Sequence, residues 1–214
     1  MAILVIIAGV LWIKSAPSKE KKGTKDGFSI VRGKHTVEIV VRDYGTITLE
    51  LDADAAPITV SNFLDLANEK FYDGLTFHRI LPGFVIQGGD PTGTGSGKEG
   101  QRTIDGEFSS NDVENPIKHL RGVISMARKS DRQNSVVARN SATSQFFICL
   151  TDQPSLDGNY AAFGQVIEGM EIVDQIAEEC AGEGDNGLVP KERQPVIESI
   201  REVVAGASGL SDDD

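Results

Sequence analysis

Positive charge, cysteine and long apolar runs are all scarce in this chain, and each shortage removes a class of function. Lysine and arginine number 21 against 32 aspartates and glutamates, a formal net charge of −11. A phosphate backbone is repelled by that balance, which excludes general nucleic-acid binding. The only cysteines are Cys149 and Cys180, and one distant pair makes no disulfide framework. Cys149 sits in the apolar run 146–150 and reads as a small buried hydrophobe. The histidines, His35, His78 and His119, are scattered, and no Cys/His spacing matches a metal site. No metal or cofactor is expected. Ser125 and Ser144 lie outside any Gly-x-Ser-x-Gly elbow, and no histidine pairs with them in the sequence, so nucleophilic hydrolysis finds no support.

The longest apolar run, residues 1–13, falls short of the roughly 20 residues that span a bilayer as a helix. It also lacks the basic start and small-residue cleavage site of a secretory signal. Residues 14–33 are lysine-rich and without apolar periodicity, as in a linker. The first 13 residues have no apolar partner in the domain after that linker. They are read as a membrane anchor or uncleaved signal in preference to a tail without function. Membrane association or export to a bacterial envelope is therefore expected, with the cytoplasm as second choice. Residues 205–214 are small and acidic and read as a disordered tail.

Glycine, by contrast, is plentiful, at 23 residues. The stretch 88–98 invites a phosphate-loop reading and fails it. Thr92 stands where the first glycine of Gly-x-x-x-x-Gly-Lys-Ser/Thr is required, and Glu99 comes directly after Lys98. A long surface loop is the better expectation.

Between residues 34 and 204 the pattern is that of one domain. Alternation over 35–41 and 45–51, with Asp43-Tyr44-Gly45 between, predicts a β-hairpin. Pro57 opens a helical pattern carried by Val60, Phe63, Leu64 and Ala67. Short apolar runs broken by glycine come next, over 76–80, 84–87, 122–127, 145–150 and 161–166. A second helical pattern occupies Met170 to Ala177, and a last strand is expected over 196–203. The spacing predicts a mostly β barrel or sandwich with about two helices.

Four runs carry more than a fold. FHRILPGFVIQGGDPTGTG (77–95), GVISMAR (122–128), SATSQFFICL (141–150) and LDGNYAAFGQV (156–166) occur in the order found in the cyclophilins. The chain resembles that family over about 36–203. The resemblance implies a closed antiparallel eight-stranded β-barrel capped by two α-helices, with a substrate groove on its outer face. It also implies a peptidyl-prolyl cis-trans isomerase that speeds rotation about X-Pro bonds of proline-containing polypeptides in protein folding.

The same resemblance assigns roles by position. Arg79 matches the catalytic arginine. Phe84, Val85, Phe147 and Leu156 match the apolar pocket for the proline ring. Gln87 matches the side chain that positions Arg79 and the substrate backbone, and Ala127 and Arg128 match the segment that pairs with the peptide. Gln145 lines the neighbouring pocket, and Tyr160 stands where many members carry histidine. A scaffold that binds X-Pro segments without useful turnover is the alternative, although such a binder need not keep the arginine. A monomer is the family default.

Three departures stand out. Ser155 replaces a tryptophan that contacts cyclosporin in many eukaryotic members, so weak cyclosporin binding is expected. The loop at Glu69-Lys70 is short, as in bacterial members. The segment 129–140 is longer than in most relatives and carries Lys129, Arg132 and Arg139. It is read either as a selector of acidic residues flanking the substrate proline or as a neutral surface insertion.

Overall fold

The computed structural model describes residues 24–25, 28–129 and 133–203. The apolar run 1–13, most of the lysine-rich segment, residues 130–132 of the insertion and the acidic tail lie outside the described residues. No helix among the described residues is long and apolar enough to cross a membrane.

A two-stranded hairpin, β1 (Thr24–Lys25) and β2 (Phe28–Ser29), precedes the main sheet. The hairpin expected over 35–51 is present as β3 (Lys34–Val41) and β4 (Gly45–Asp52), paired from Lys34↔Asp52 to Val41↔Gly45. Val37, Ile39, Val41, Ile47, Leu49 and Leu51 alternate inward and are buried. Then come α1 (Pro57–Asn68), β5 (Phe77–Leu81), β6 (Val85–Gly88), β7 (Val123–Met126), a single helical turn α2 (Val136–Arg139), and β8 (Phe146–Cys149). The last elements are β9 (Ala162–Glu168), α3 (Met170–Glu179) and β10 (Ile197–Glu202).

Helix α1 begins at Pro57, whose missing N–H is one the first turn does not need. Its cap comes from far along the chain. The Glu107 carboxylate accepts from Ile58 N at 2.9 Å and Thr59 N at 2.7 Å, satisfying two orphan donors at the positive end of the helix. Phe63 on α1 meets Phe146 edge-on at 5.6 Å and Phe163 at 5.3 Å, which ties the helix to the inner face of the sheet. Phe28, in the segment read as linker, is buried, and the Arg102 guanidinium lies 4.4 Å from its ring centre.

The eight strands run in the order β10-β3-β4-β9-β7-β8-β6-β5, all pairs antiparallel. The expected mostly β, eight-stranded antiparallel sheet is present as a curled half-barrel. Its two edges touch only at the isolated bridge Thr76↔Val196 and through neighbouring bonds such as Gly74 N to Ile197 O, 2.8 Å. The reason is competition for the outer edge of β5. Residues 182–189 occupy it: Ile80 N donates to Gly187 O, Gly182 N to Ile80 O, and Val189 N to His78 O. Strand β10 therefore reaches only the residues at and before the start of β5. The two expected helices are α1 and α3.

Candidate active site

Alternation decides what the outer face displays. Phe146 and Ile148 of β8 and Ile86 of β6 point into the core, so Phe147, Cys149, Val85 and Gln87 point out. The register then sets one row across four strands: Arg79↔Gln87, Gln87↔Phe147, Phe147↔Ser125. Val85, Phe147 and Cys149, joined by Phe84, Ala127, Leu156 and Tyr160, form an apolar cluster separate from the main core.

That cluster walls a pocket of about 110 Å³, lined by Arg79, Phe84, Val85, Gln87, Ala127, Arg128, Phe147, Leu156 and Tyr160. A drug-sized ligand needs several hundred Å³, so this pocket suits one small side chain. Nine of the ten residues singled out from the sequence meet here. The tenth, Gln145, lines an adjoining cavity of about 560 Å³, which shares Gln87, Ala127 and Arg128 with the first.

Arg79 is held at two points. Its Nε donates to Asn186 O at 2.7 Å and its Nη1 to Gln87 Oε1 at 3.3 Å. Gln87 Nε2 donates in turn to Gln145 Oε1 at 2.9 Å, and Gln145 Nε2 to Gly95 O at 3.3 Å. This relay orients each amide and leaves other guanidinium N–H bonds open to a ligand. Burial pulls Arg79 below its ordinary value, yet an arginine side chain stays cationic in a protein. The Phe84 ring centre lies 5.6 Å from the guanidinium carbon.

Arg128 braces the opposite wall. It donates to Asn159 O at 2.8 Å, Lys129 O at 3.0 Å and Asn134 Oδ1 at 2.9 Å, and stacks 4.8 Å from the Tyr160 ring centre. Tyr160 stands edge-on to Phe147 at 5.7 Å. Arg139 lines neither cavity and donates instead to Asn111 Oδ1 and Asn134 O, so it stiffens the insertion.

Beneath the pocket floor lies a constellation that the sequence did not disclose. His119 Nε2 is 3.0 Å from Ser125 Oγ, and its Nδ1 is 3.0 Å from Asp157 Oδ1. The order serine–histidine–aspartate is that of a nucleophilic triad. Ser125 has no solvent exposure, however, and Phe147 stacks on His119 at 6.2 Å, so no substrate carbonyl reaches Oγ. The set is a staple that supports Phe147. Three further missed partners, Asn186, Asn159 and Gly95, act through backbone carbonyls, which carry no residue signal.

The glycine-rich loop fails as a phosphate site for a physical reason. Its N–H groups already have an anion. Asp90 accepts from Thr92 N, Thr94 N and Gly95 N at 3.0, 3.1 and 2.7 Å, and from Thr92 Oγ1 at 2.7 Å. Burial works to raise the Asp90 pKa, but these bonds outweigh it and hold the carboxyl below its ordinary value.

The comparisons with known proteins agree with this geometry. The family model "Cyclophilin type peptidyl-prolyl cis-trans isomerase/CLD" matches residues 36–202. A peptidyl-prolyl cis-trans isomerase of Helicobacter pylori is 40% identical over 166 residues, 77% of this chain and 88% of the relative. Peptidyl-prolyl cis-trans isomerase B of Bacillus subtilis is 43% identical over 153 residues, 72% of this chain and 92% of the relative. A crystal structure of a Cryptosporidium parvum cyclophilin superposes with a TM-score of 0.67 at 31% identity, over 80% of this chain and 99% of that one. A second structure of that protein was obtained in the presence of the dipeptide Ala-Pro. Motif, outer-face groove and family match converge: this chain belongs to the cyclophilin-type peptidyl-prolyl cis-trans isomerases.

Proposed function

We propose that the groove accelerates rotation about X-Pro peptide bonds in polypeptides, with Arg79 as the catalytic donor and the 110 Å³ pocket as the seat of the proline ring. The peptide bond resists rotation through its partial double-bond character, a barrier of about 18–20 kcal/mol. At X-Pro the isomers are close in energy but exchange over tens to hundreds of seconds. Twisting the bond frees a lone pair on the prolyl nitrogen. A guanidinium N–H aimed at that nitrogen finds no lone pair in the planar ground state and finds one in the twisted state. The stabilisation is therefore selective for the transition state.

The observation that carries this reading is the doubly anchored Arg79 beside a pocket sized for one side chain. Phe84, Val85, Phe147, Leu156 and Tyr160 would grip the ring. Gln87 holds Arg79, and Gln145 holds Gln87. The Arg128 N–H and C=O have no backbone partner among the described residues, which supports pairing of the substrate backbone with the 127–128 segment. The test is exchange NMR of a short X-Pro peptide with the full chain and with Arg79→Ala. Fast exchange that falls by about two to three orders of magnitude in the variant, with binding kept, is the expected outcome. Binding without faster exchange in the unaltered chain would replace the enzyme reading by that of an X-Pro scaffold.

Weak cyclosporin affinity is proposed from Ser155, and inhibition at low nanomolar drug would refute it. A monomeric state and membrane attachment through the apolar run 1–13 complete the proposal. Fractionation of cells into membrane and soluble parts tests the latter. The bonds around Thr76 and Val196 support treating the half-barrel as closed in effect.

A further inference from the structure

The larger cavity has a charge that opposes the rest of the molecule. Its wall includes Lys98, Arg128 and Lys129 against a single acid, Glu99. The whole chain carries −11, so a cluster of three cations to one anion is a local reversal of the field. Among the described residues these cations also lack an acidic partner. Lys98 and Lys129 form no ion pair within 4 Å among the described residues. All three Arg128 bonds go to neutral oxygens. The remaining wall is mostly amides and hydroxyls, among them Gln101, Ser141 and Thr143.

Position gives this charge a use. The cavity shares Gln87, Ala127 and Arg128 with the small pocket. An extended chain advances about 3.3 Å per residue. A residue within two positions of a proline seated in the small pocket therefore brings its side chain over the larger one. At about 560 Å³ the cavity admits any side chain, so chemistry rather than size selects. Lys98 comes from the glycine-rich loop that Asp90 organises, and Lys129 from the end of the 127–128 segment. Lys129 N is itself fixed by Ser141 Oγ at 2.8 Å. The two lysines thus belong to separate, internally bonded walls.

We infer that Lys98 and Lys129 are specificity-determining residues that favour substrates carrying a glutamate or aspartate flanking the X-Pro pair. This inference rests on the reading of the small pocket as the proline seat. Within the insertion, Lys129 lines the cavity while Arg139 does not and is bonded to Asn111 and Asn134. Lys98, whose only reading from sequence is as the lysine of a failed phosphate loop, supplies the second charge.

The test uses the full chain and a set of short peptides with an Ala-Pro centre. Alanine, glutamate or lysine is placed in turn at each of the two positions before and after that centre, and kcat/KM is measured for each. Glutamate at one position should exceed lysine there by about five- to ten-fold, the size of a pair of partly exposed ion contacts. The ratio should shrink as salt rises and the Debye length shortens. The double variant Lys98→Gln/Lys129→Gln should bring the ratio close to one, and Lys98→Glu/Lys129→Glu should invert it. Acceleration of the alanine peptide with no acidic preference at any position overturns the inference and leaves the isomerase reading intact. No acceleration of any peptide overturns the isomerase reading itself. A preference unchanged in both double variants also overturns the inference, because the selecting charge then lies elsewhere.

Discussion

The chemistry of the groove depends on the shape of one side chain as much as on its charge. Arg79 makes its two bonds through separate nitrogens, Nε to Asn186 O and Nη1 to Gln87 Oε1, and a lysine has one nitrogen for both. Arg79→Lys keeps the cation but loses the planar fork. We expect kcat/KM to fall by about two orders of magnitude while the peptide Kd changes only a few-fold, measured by exchange NMR and titration. A variant with near-normal turnover would mean that charge alone carries the reaction. At this scale the sequence was highly legible. Nine of the ten residues read from the motifs line one pocket, because the motifs supply neighbouring strands of one sheet. Of the two anchors on Arg79, Gln87 was legible and the backbone one was not. Asn186 lies 107 residues from Arg79 in sequence and contributes only its carbonyl, so no residue type there signals the bond.

Among the elements, the glycine-rich loop shows most clearly how local sequence serves the site. Gly93, Gly95 and Gly97 all take positive φ, at 67°, 81° and 72°, a conformation open to glycine at little cost. That path folds the loop N–H groups around the buried Asp90 carboxylate. The same loop presents Gly95 O to Gln145 and carries Lys98. Removing the carboxylate strands several donors at once. Asp90→Ala should lower stability by about 2–3 kcal/mol, the scale of charged hydrogen bonds, seen as a lower urea midpoint. Amide exchange over 92–97 should speed up more than over β3 and β4. Equal protection of the loop in the variant would show that the glycine path holds without the anion. The hairpin β3–β4 and helices α1 and α3 were readable from period and punctuation, since their own residues bury their own faces. The role of residues 182–189 was not, because nothing local in a turn-rich segment says which strand edge it will cover.

For the molecule as a whole, the buried histidines and carboxylates set how it meets acid. His78 is wholly buried. Burial holds it below its ordinary value of 6.5. Burial lowers His119 as well, against the opposing pull of Asp157. In both cases the unfolded chain takes up a proton more readily than the folded one. Their contribution to stability is therefore complete above about 6.5 and is lost as pH falls through the lowered folded values. Asp90 and Asp157 have the same sign at lower pH. Burial tends to raise both, but their hydrogen bonds together outweigh it and hold them low. Their contribution is present above the ordinary value of 3.8 and lost as pH falls through the folded values. Glu107 runs the other way: burial raises it above 4.5, so its contribution is present in acid and lost as pH rises through the folded value. Urea midpoints measured from about pH 8 down to about pH 3 should thus decline in two stages, the first beginning near the ordinary histidine value and the second near that of aspartate. Proton NMR of the ring signals assigns the first stage. If His78 and His119 both titrate at or above 6.5 in the folded protein, their burial does not produce the first decline, and the acid sensitivity belongs to the carboxylates alone.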